Sequence, residues 1–271
     1  SGIFSRTLAN CISSRIAVDR ALGSSEIDIK NAVSFASDEC KARNITGSCT
    51  ACIASLDSKS SVMTVYNLGD SGLLLLRKGG QGYSQVYKSA STYHDFNTPY
   101  QLGFSAFESE KNNNLFFDSP SAGTTSCLHV QEGDIVVVGS DGLWDNLYDE
   151  EIISTVNTFY ESFTANDCAR ESLLQAIIDV LVDSALDSMA NSRRQTPWSD
   201  ALRAQMSQEQ QLEAKKTFSL GTIWSKLAAA LFNRRLDSSA TSTEELIDNE
   251  TVLGGKEDDI TVIISLVVLD T

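Results

Sequence analysis

The sequence is most informative at Ile135-Val136-Val137-Val138-Gly139-Ser140-Asp141-Gly142-Leu143-Trp144-Asp145. The β-branched run at its start predicts a strand covered on both faces, and Asp141 follows directly after the end of that run. A second apolar run, Ile260 to Leu269, follows Gly254-Gly255-Lys256-Glu257-Asp258-Asp259. An uncompensated carboxylate at the end of a buried strand costs free energy, so both placements indicate metal ligands.

A third acidic position lies between two more apolar runs. Two strands are predicted within Val65-Tyr66-Asn67-Leu68-Gly69-Asp70-Ser71-Gly72-Leu73-Leu74-Leu75-Leu76, joined as a hairpin with Asp70 at its tip. On the turn alone, Asp70 is explained as an ordinary turn residue, because Asp and Gly are common there. Together with the other two acidic signals, metal binding is the favoured interpretation.

These segments, in this order, resemble the later motifs of the metal-dependent type 2C Ser/Thr protein phosphatases, the PPM family. The motifs are Asn-Leu-Gly-Asp-Ser at 67–71, Ser-Asp-Gly-Leu-Trp-Asp at 140–145 and Asp-Asp-Ile-Thr-Val at 258–262, preceded by small residues at 47–51. The stretch from Phe96 to Leu102 and the Gly-Gly-Lys before the acidic pair are similar to a short branch whose known members are mitochondrial or organellar. The ordered combination is specific, although each motif alone is weak.

The resemblance implies four metal-ligating carboxylates. Asp141 and Asp258 fall on the aspartates of the family's binuclear site, while Asp70 and Asp145 fall on carboxylates that surround a weaker additional ion. We expect Mn²⁺ or Mg²⁺, because hard divalent cations prefer carboxylate and water oxygens. No side chain is assigned as a catalytic nucleophile, since the attacking group that the resemblance implies is a metal-activated water.

The positions next to these ligands have less certain roles in the pattern. Asp145 lies four residues after Asp141 and can reach back over one turn, or it is simply an acid before the helix that starts near Glu150. Asp259 stands where the family often has Asn. We expect Asp259 and Gly142 to support the ligands from behind rather than to contact the ions.

The coarse pattern predicts an α+β fold, an antiparallel β-sandwich flanked by helical layers. Helices are predicted at 4–21, 25–42, 149–160 and 166–190, the second capped by Ser24 or Ser25; strands are predicted at 48–56, 62–69, 72–77, 84–88, 125–130, 134–140 and 260–269. This order of strands, helices and one last strand is the arrangement that the resemblance implies.

The family's first half-site has an Asp-Gly turn and a phosphate-binding Arg, and no match to it occurs in residues 1–271. We therefore expect 1–271 to be a single phosphatase-like domain that lacks its N-terminal strands. Residues 193–249 interrupt the pattern and are predicted to be an insertion. Its amphipathic island, 223–232, is expected to cover this domain's own layers; the alternative is docking to a partner helix or a membrane surface.

Composition limits the partners. The formal net charge of −15, from 21 basic and 36 acidic residues, argues against nucleic acid. No apolar run approaches the ~20 residues of a membrane span. Cys49 and Cys52 form a C-x-x-C, but on a strand their sulfurs point to opposite faces, so packing is favoured over a redox or zinc role. His129 is expected to be packed, and His94 is given no role.

These observations predict a Mn²⁺/Mg²⁺-dependent protein Ser/Thr phosphatase that acts on phosphoprotein substrates through a metal-activated water, with a monomeric state. The alternative is a non-catalytic pseudophosphatase or truncated phosphoprotein-binding module. A haloacid-dehalogenase-type phosphotransferase is disfavoured, because no Asp-x-Asp stands near the start of the chain. Location in the mitochondrion or another organelle is implied by the resemblance alone.

Overall fold

The computed structural model describes residues 2–23, 27–106, 117–164, 170–208 and 253–268. The strands are β1 (Gly47–Cys49), β2 (Ala51–Asp57), β3 (Val62–Leu68), β4 (Gly72–Gly79), β5 (Gly82–Lys88), β6 (Tyr93–Asp95), β7 (Thr98–Pro99), β8 (Leu102–Phe104), β9 (Thr124–His129), β10 (Ile135–Gly139) and β11 (Val262–Leu266). The helices are α1 (Ile3–Ala21), α2 (Ile29–Ala42), α3 (Asp141–Trp144), α4 (Asp149–Thr164), α5 (Arg170–Ala190) and α6 at 197–208. No helix among these residues is both long and apolar enough to cross a membrane.

Two antiparallel sheets form the centre of the fold. One has the order β11-β10-β4-β5 and the other the order β2-β3-β9. Met63 and Val65 of β3 meet Leu73 and Leu75 of β4 in a buried core between the sheets. The predicted antiparallel sandwich is therefore confirmed.

Helices cover the outer sides of both sheets. Tyr66 of β3 packs with Phe4 and Ile29 of α1 and α2, and Leu74 of β4 packs with Ile177 of α5. Successive strand residues point to opposite faces, so each central strand serves two cores at once. This explains why the stretch Leu73 to Leu76 is apolar without alternation.

The predicted hairpin around Asp70 is wrong. β3 pairs with β2 and β9, whereas β4 pairs with β10 and β5, so the turn at Asp70 crosses from one sheet to the other. Both strands are central and covered on both faces, and each therefore already has two neighbours. Asp70 lies at a corner of the sandwich rather than at the tip of a ribbon.

Several smaller expectations also differ from the structure. Asp28 caps α2 by accepting a hydrogen bond from the Asn31 N–H, in place of the predicted Ser24 or Ser25. The last strand begins at Val262 rather than Ile260, and it is an edge strand with Ile263 56% exposed, so it is not covered on both faces. His129 is exposed rather than packed.

The expectation for the C-x-x-C pair is confirmed. Cys49 packs against the core under α1 and α2, while Cys52 packs against the core between the sheets. Burial raises the pKa of the Cys49 thiol to about 11 and that of Cys52 to about 12. Both thiols are therefore protonated and unreactive near neutral pH.

Candidate metal centre

The turn after β10 positions two of the predicted ligands. Ser140 directly precedes α3, Asp141 is the first residue of that helix, and the Asp145 N–H donates to the Asp141 carbonyl over 2.8 Å. The Trp144 indole N–H donates to the Gly139 carbonyl over 2.8 Å and holds the turn against the end of the strand. One short turn thus places the side chains of Asp141 and Asp145 on the same side.

The third predicted ligand comes from the far end of the chain, and all three surround Lys256. The Lys256 Nζ atom lies 2.7 Å from Asp141 Oδ2, 3.0 Å from Asp145 Oδ2 and 3.2 Å from Asp258 Oδ2. Burial alone would lower the pKa of Lys256, but the hydrogen bond to Asp141 and the charge of Asp145 outweigh it and raise that pKa. The ammonium is therefore charged, and it occupies a position to which three carboxylates point.

Asp70 adds a buried fourth carboxyl group. It is 6% exposed, and burial, followed by the negative charge of Asp141, raises its pKa to about 6. Burial also raises the pKa of Asp145, against the opposing effect of Lys256. At Asp258, burial is outweighed by the Asp259 N–H and by Lys256, which lower the pKa. The cluster thus holds more negative charge than one ammonium neutralises.

The carboxylates spread around Lys256 instead of converging on each other. Within the described ranges, no three His, Cys, Asp or Glu side chains are arranged as a ready metal site. The structure brings Asp141, Asp145 and Asp258 to one ammonium, with Asp70 near enough for its pKa to respond to Asp141 and Asp145. The assignment of these four as metal ligands stays a prediction.

Asn146 is a positioning residue that sequence reasoning missed. It is fully buried, and its Nδ2 donates to the Gly142 and Lys256 carbonyls at 3.0 Å each, while its Oδ1 accepts from the Lys256 N–H at 3.0 Å. These bonds join the α3 turn to the segment before β11 that carries Lys256 and Asp258. The sequence feature that could have indicated Asn146 is its place as a polar residue between the large apolar residues Trp144 and Leu147. Both of these neighbours are buried in the structure.

The backbone of Asp259 packs closely on the same turn. The Ser140 hydroxyl donates to the Asp259 carbonyl over 3.0 Å, and a Cβ atom on residue 142 would collide with that carbonyl oxygen. This close approach requires Gly142. The Asp259 side chain is exposed, so its contact with the turn is made through the main chain, and the supporting role of Asp259 and Gly142 stays a prediction.

The first part of the predicted insertion lies against the site. Arg194 pairs with Glu151, the Thr196 hydroxyl donates to the Gly254 carbonyl over 2.8 Å, and the Trp198 N–H donates to the Asp145 carbonyl over 3.0 Å. Residues 193–208 therefore hold the α3 turn from one side. The island at 223–232 and the rest of the predicted insertion lie outside the described residues.

A cleft of about 280 Å³ opens beside the carboxylates. Asp70 and Asp145 line it together with the aromatic residues Tyr93, Phe96 and Trp198, and its other lining residues are Asp95, Asn97, Ala201 and Gln205. The Phe96 and Trp198 rings stack with centroids 5.0 Å apart. The cleft therefore combines an aromatic wall with acidic side chains.

Comparison with known proteins agrees with the motifs. The chain is 42% identical over 122 residues to the protein phosphatase PTC7 homolog of Danio rerio, a match that covers 44% of this chain and 39% of that protein. It is 39% identical over 134 residues to the Homo sapiens PTC7 homolog, covering 47% and 42%, and 38% identical over 156 residues to the probable protein phosphatase 2C 80 of Arabidopsis thaliana, covering 58% and 33%. The chain thus spans less than half the length of these relatives. No family model matches the chain.

The fold is also shared with a solved structure. The photosystem II phosphatase PBCP superposes with a TM-score of 0.62 at 22% identity, over 98% of this chain and 79% of that protein. At that identity the likeness concerns the fold only. Sequence and fold together confirm the resemblance to the type 2C phosphatases.

Proposed function

We propose that this chain, a relative of the type 2C phosphatases in sequence and fold, is part of a Mn²⁺- or Mg²⁺-dependent enzyme that dephosphorylates phosphoserine and phosphothreonine in proteins. The observation that carries the proposal is the meeting of Asp141, Asp145 and Asp258 around a single cation. These residues come from two segments more than a hundred positions apart, and they are the residues that the family motifs select.

The donor set fits a hard divalent cation. It offers carboxylate oxygens from Asp70, Asp141, Asp145 and Asp258, and such oxygens are the ligands that Mg²⁺ and Mn²⁺ prefer. The Lys256 ammonium stands in for a positive ion among these carboxylates, which supports a cation position there. When bound, divalent cations would supply an activated water and neutralise charge on the phosphoryl oxygens.

The protein's own residues would position and shield the reaction. Asn146 and Gly142 hold the two ligand-bearing segments together, and Trp198 and Phe96 form an apolar wall that limits water at the cleft. Phosphate binding by this chain alone would be opposed by the carboxylates. Asp70, Asp141, Asp145 and Asp258 would therefore need a compensating positive charge for a phosphorylated substrate to bind beside them.

The full-length protein and its Asp141→Asn variant provide the test. We expect MnCl₂-dependent hydrolysis of p-nitrophenyl phosphate and of a phosphothreonine peptide by the wild type, and loss on the order of a hundredfold or more in the variant, as defects at metal ligands produce. Equal turnover in MnCl₂ and EDTA, or equal turnover of the two proteins, would refute the proposal.

One observation favours the second candidate, a non-catalytic phosphoprotein-binding module. Lys256 neutralises part of the acidic cluster without any metal. A pseudophosphatase, which binds no metal, would require such neutralisation for stability. Such a protein would bind the phosphothreonine peptide with the same affinity in EDTA and in MnCl₂ and would show no turnover. The same assay therefore distinguishes the two candidates.

We also propose a domain organisation, an oligomeric state and a location for this protein. The chain would be one phosphatase-like domain, monomeric, with an insertion at 193–249 of which residues 207–246 are dispensable, and with a mitochondrial or other organellar location. Loop insertions add closure entropy only slowly, so replacing residues 207–246 by a short Gly/Ser linker should leave both the melting temperature and the turnover nearly unchanged. The molar mass from light scattering tests the monomeric state, and imaging of the tagged full-length protein tests the location.

A further inference from the structure

Lys256 occupies the centre of the proposed metal site with unusually complete pairing. An ammonium has three N–H donors, and three carboxylate oxygens lie within 3.2 Å of the Lys256 Nζ atom. Its side chain is 16% exposed, and the Trp198 ring centroid lies 5.3 Å from Nζ on another side. The ammonium is thus coordinated in the way a bound cation would be.

The main chain of Lys256 is fixed while its side chain has a path to move. Asn146 bonds both the N–H and the carbonyl of Lys256 at 3.0 Å, which holds the backbone against the α3 turn. The adjoining cleft of about 280 Å³, bordered by Asp145 and Trp198, has room for a displaced lysine side chain. Movement of the ammonium therefore requires no change in the fold.

We propose that Lys256 is a built-in cation that holds Asp141, Asp145 and Asp258 together when no metal is bound, and that its ammonium has to leave before a divalent ion is held by these carboxylates. This inference rests on the proposed metal-dependent function. While the Lys256 ammonium pairs with Asp141, Asp145 and Asp258, it fills the position that these oxygens would offer to a divalent ion, and the two positive charges would repel each other strongly there. Lysine and metal therefore compete for one position, and the lysine lowers the apparent metal affinity.

Removing the charge should have opposite effects on the two states. In Lys256→Met, the metal-free protein loses three ion pairs and keeps the carboxylates, so its melting temperature in EDTA should fall. Mn²⁺ no longer has to displace an ammonium, so its dissociation constant should decrease at least about tenfold, and the melting temperature gained on adding Mn²⁺ should be larger than in the wild type. A lysine with only a structural role would not produce tighter binding.

Lys88→Met is the matched control. Lys88 is a more exposed lysine, with a side chain 34% exposed; its Nζ pairs with Asp149 at 2.6 Å and lies 5.0 Å from the Trp144 ring centroid, but it contacts none of the proposed ligands. Mn²⁺ binding is measured by electron paramagnetic resonance of the free ion, alongside melting curves in EDTA and MnCl₂. We expect the control to bind Mn²⁺ within about twofold of the wild type, since distant surface charges are screened.

A measurement on the unaltered protein covers the case in which Lys256→Met does not fold. Acetylation by acetic anhydride, quantified by mass spectrometry of peptides, should be slow at Lys256 in EDTA and at least several-fold faster in saturating MnCl₂, with Lys88 unchanged. The inference would be overturned if Mn²⁺ bound to the wild type without faster acetylation of Lys256. It would also be overturned if Lys256→Met bound Mn²⁺ with unchanged or weaker affinity. Either result would leave the proposed function standing. No Mn²⁺ binding by wild type and variant alike would refute the metal site itself.

Discussion

Replacing Asp70 by Asn should stabilise the metal-free protein. Asp70 is 6% exposed, and burial together with the Asp141 charge raises its pKa from 3.8 to about 6. The folded state therefore binds the Asp70 proton more tightly than the unfolded state does, and wild-type stability falls as the pH rises from about 4 to about 6. At about 1.4 kcal/mol for each pKa unit, the penalty above pH 6 is about 3 kcal/mol.

The amide introduced by Asp70→Asn would remain neutral at every pH in this range, so the variant avoids that penalty. In EDTA at pH 7.5 we expect a gain of about 1 to 3 kcal/mol in the free energy of unfolding, or roughly 3 to 10 °C in melting temperature for a chain of this size. The gain should shrink toward zero near pH 4, where Asp70 is protonated in the folded wild type. Urea denaturation across that pH range measures both values.

Asp134→Asn is the contrasting control. Asp134 is 1% exposed, but it accepts hydrogen bonds from Arg77 at 2.7 and 2.9 Å and from the Gln131 N–H at 2.8 Å. Neutralising a paired buried carboxylate leaves its partner charge unsatisfied, so this variant should lose about 3 kcal/mol or more. If Asp70→Asn were as destabilising as Asp134→Asn at pH 7.5 in EDTA, the description of Asp70 as an uncompensated buried acid would be refuted.

Three further predictions concern the junction between the two ligand-bearing segments. Asn146→Leu removes three buried hydrogen bonds and should lower the free energy of unfolding by about 3 kcal/mol in urea, and a loss under about 1 kcal/mol would contradict its positioning role. Gly142→Ala places a methyl group against the Asp259 carbonyl and should lower the melting temperature, whereas Gly80→Ala, which enters open space, should change it little. In the full-length protein Asp258→Asn should reduce Mn²⁺-dependent turnover about a hundredfold or more and Asp259→Asn only slightly; the reverse ranking would show that the motif register is wrong by one residue.

The acidic motifs were predictable because each carries a local signature. Asp141 follows a β-branched run, and Asp258 precedes another, so the strand ends that carry them are visible in the sequence. The two-sided burial of Leu73 to Leu76 was visible as well, since a non-alternating apolar run requires cover on both faces. The local pattern of residues and the order of the motifs were therefore enough to predict the sandwich and to pick out the acidic residues at its corner.

The connections among these elements were not predictable in the same way. Whether β3 pairs with β4 depends on competition from β2, β9, β10 and β5, which the turn at Asp70 does not encode. A short Gly-rich turn is compatible with a hairpin and with a crossing between sheets, because both need tight chain reversal at the end of a strand. The choice is decided by tertiary pairing.

Lys256 and Asn146 were missed for a related reason. A lysine among acids is usually a solvated surface residue, and an asparagine next to a turn is usually a local cap. Here both act across more than a hundred positions of sequence, with Lys256 pairing to Asp141 and Asn146 bonding the backbone of Lys256. Long-range polar contacts of this kind carry no periodic signal.

The location of bound metal tests the central claim most directly. Crystals of the protein soaked in MnCl₂ and measured at the manganese absorption edge would locate the ion by its anomalous scattering. The account predicts a manganese peak at the carboxylates of Asp141 and Asp258, with the Lys256 Nζ atom displaced from its present contacts. Manganese bound only elsewhere, with Lys256 still paired to Asp141, Asp145 and Asp258, would contradict it.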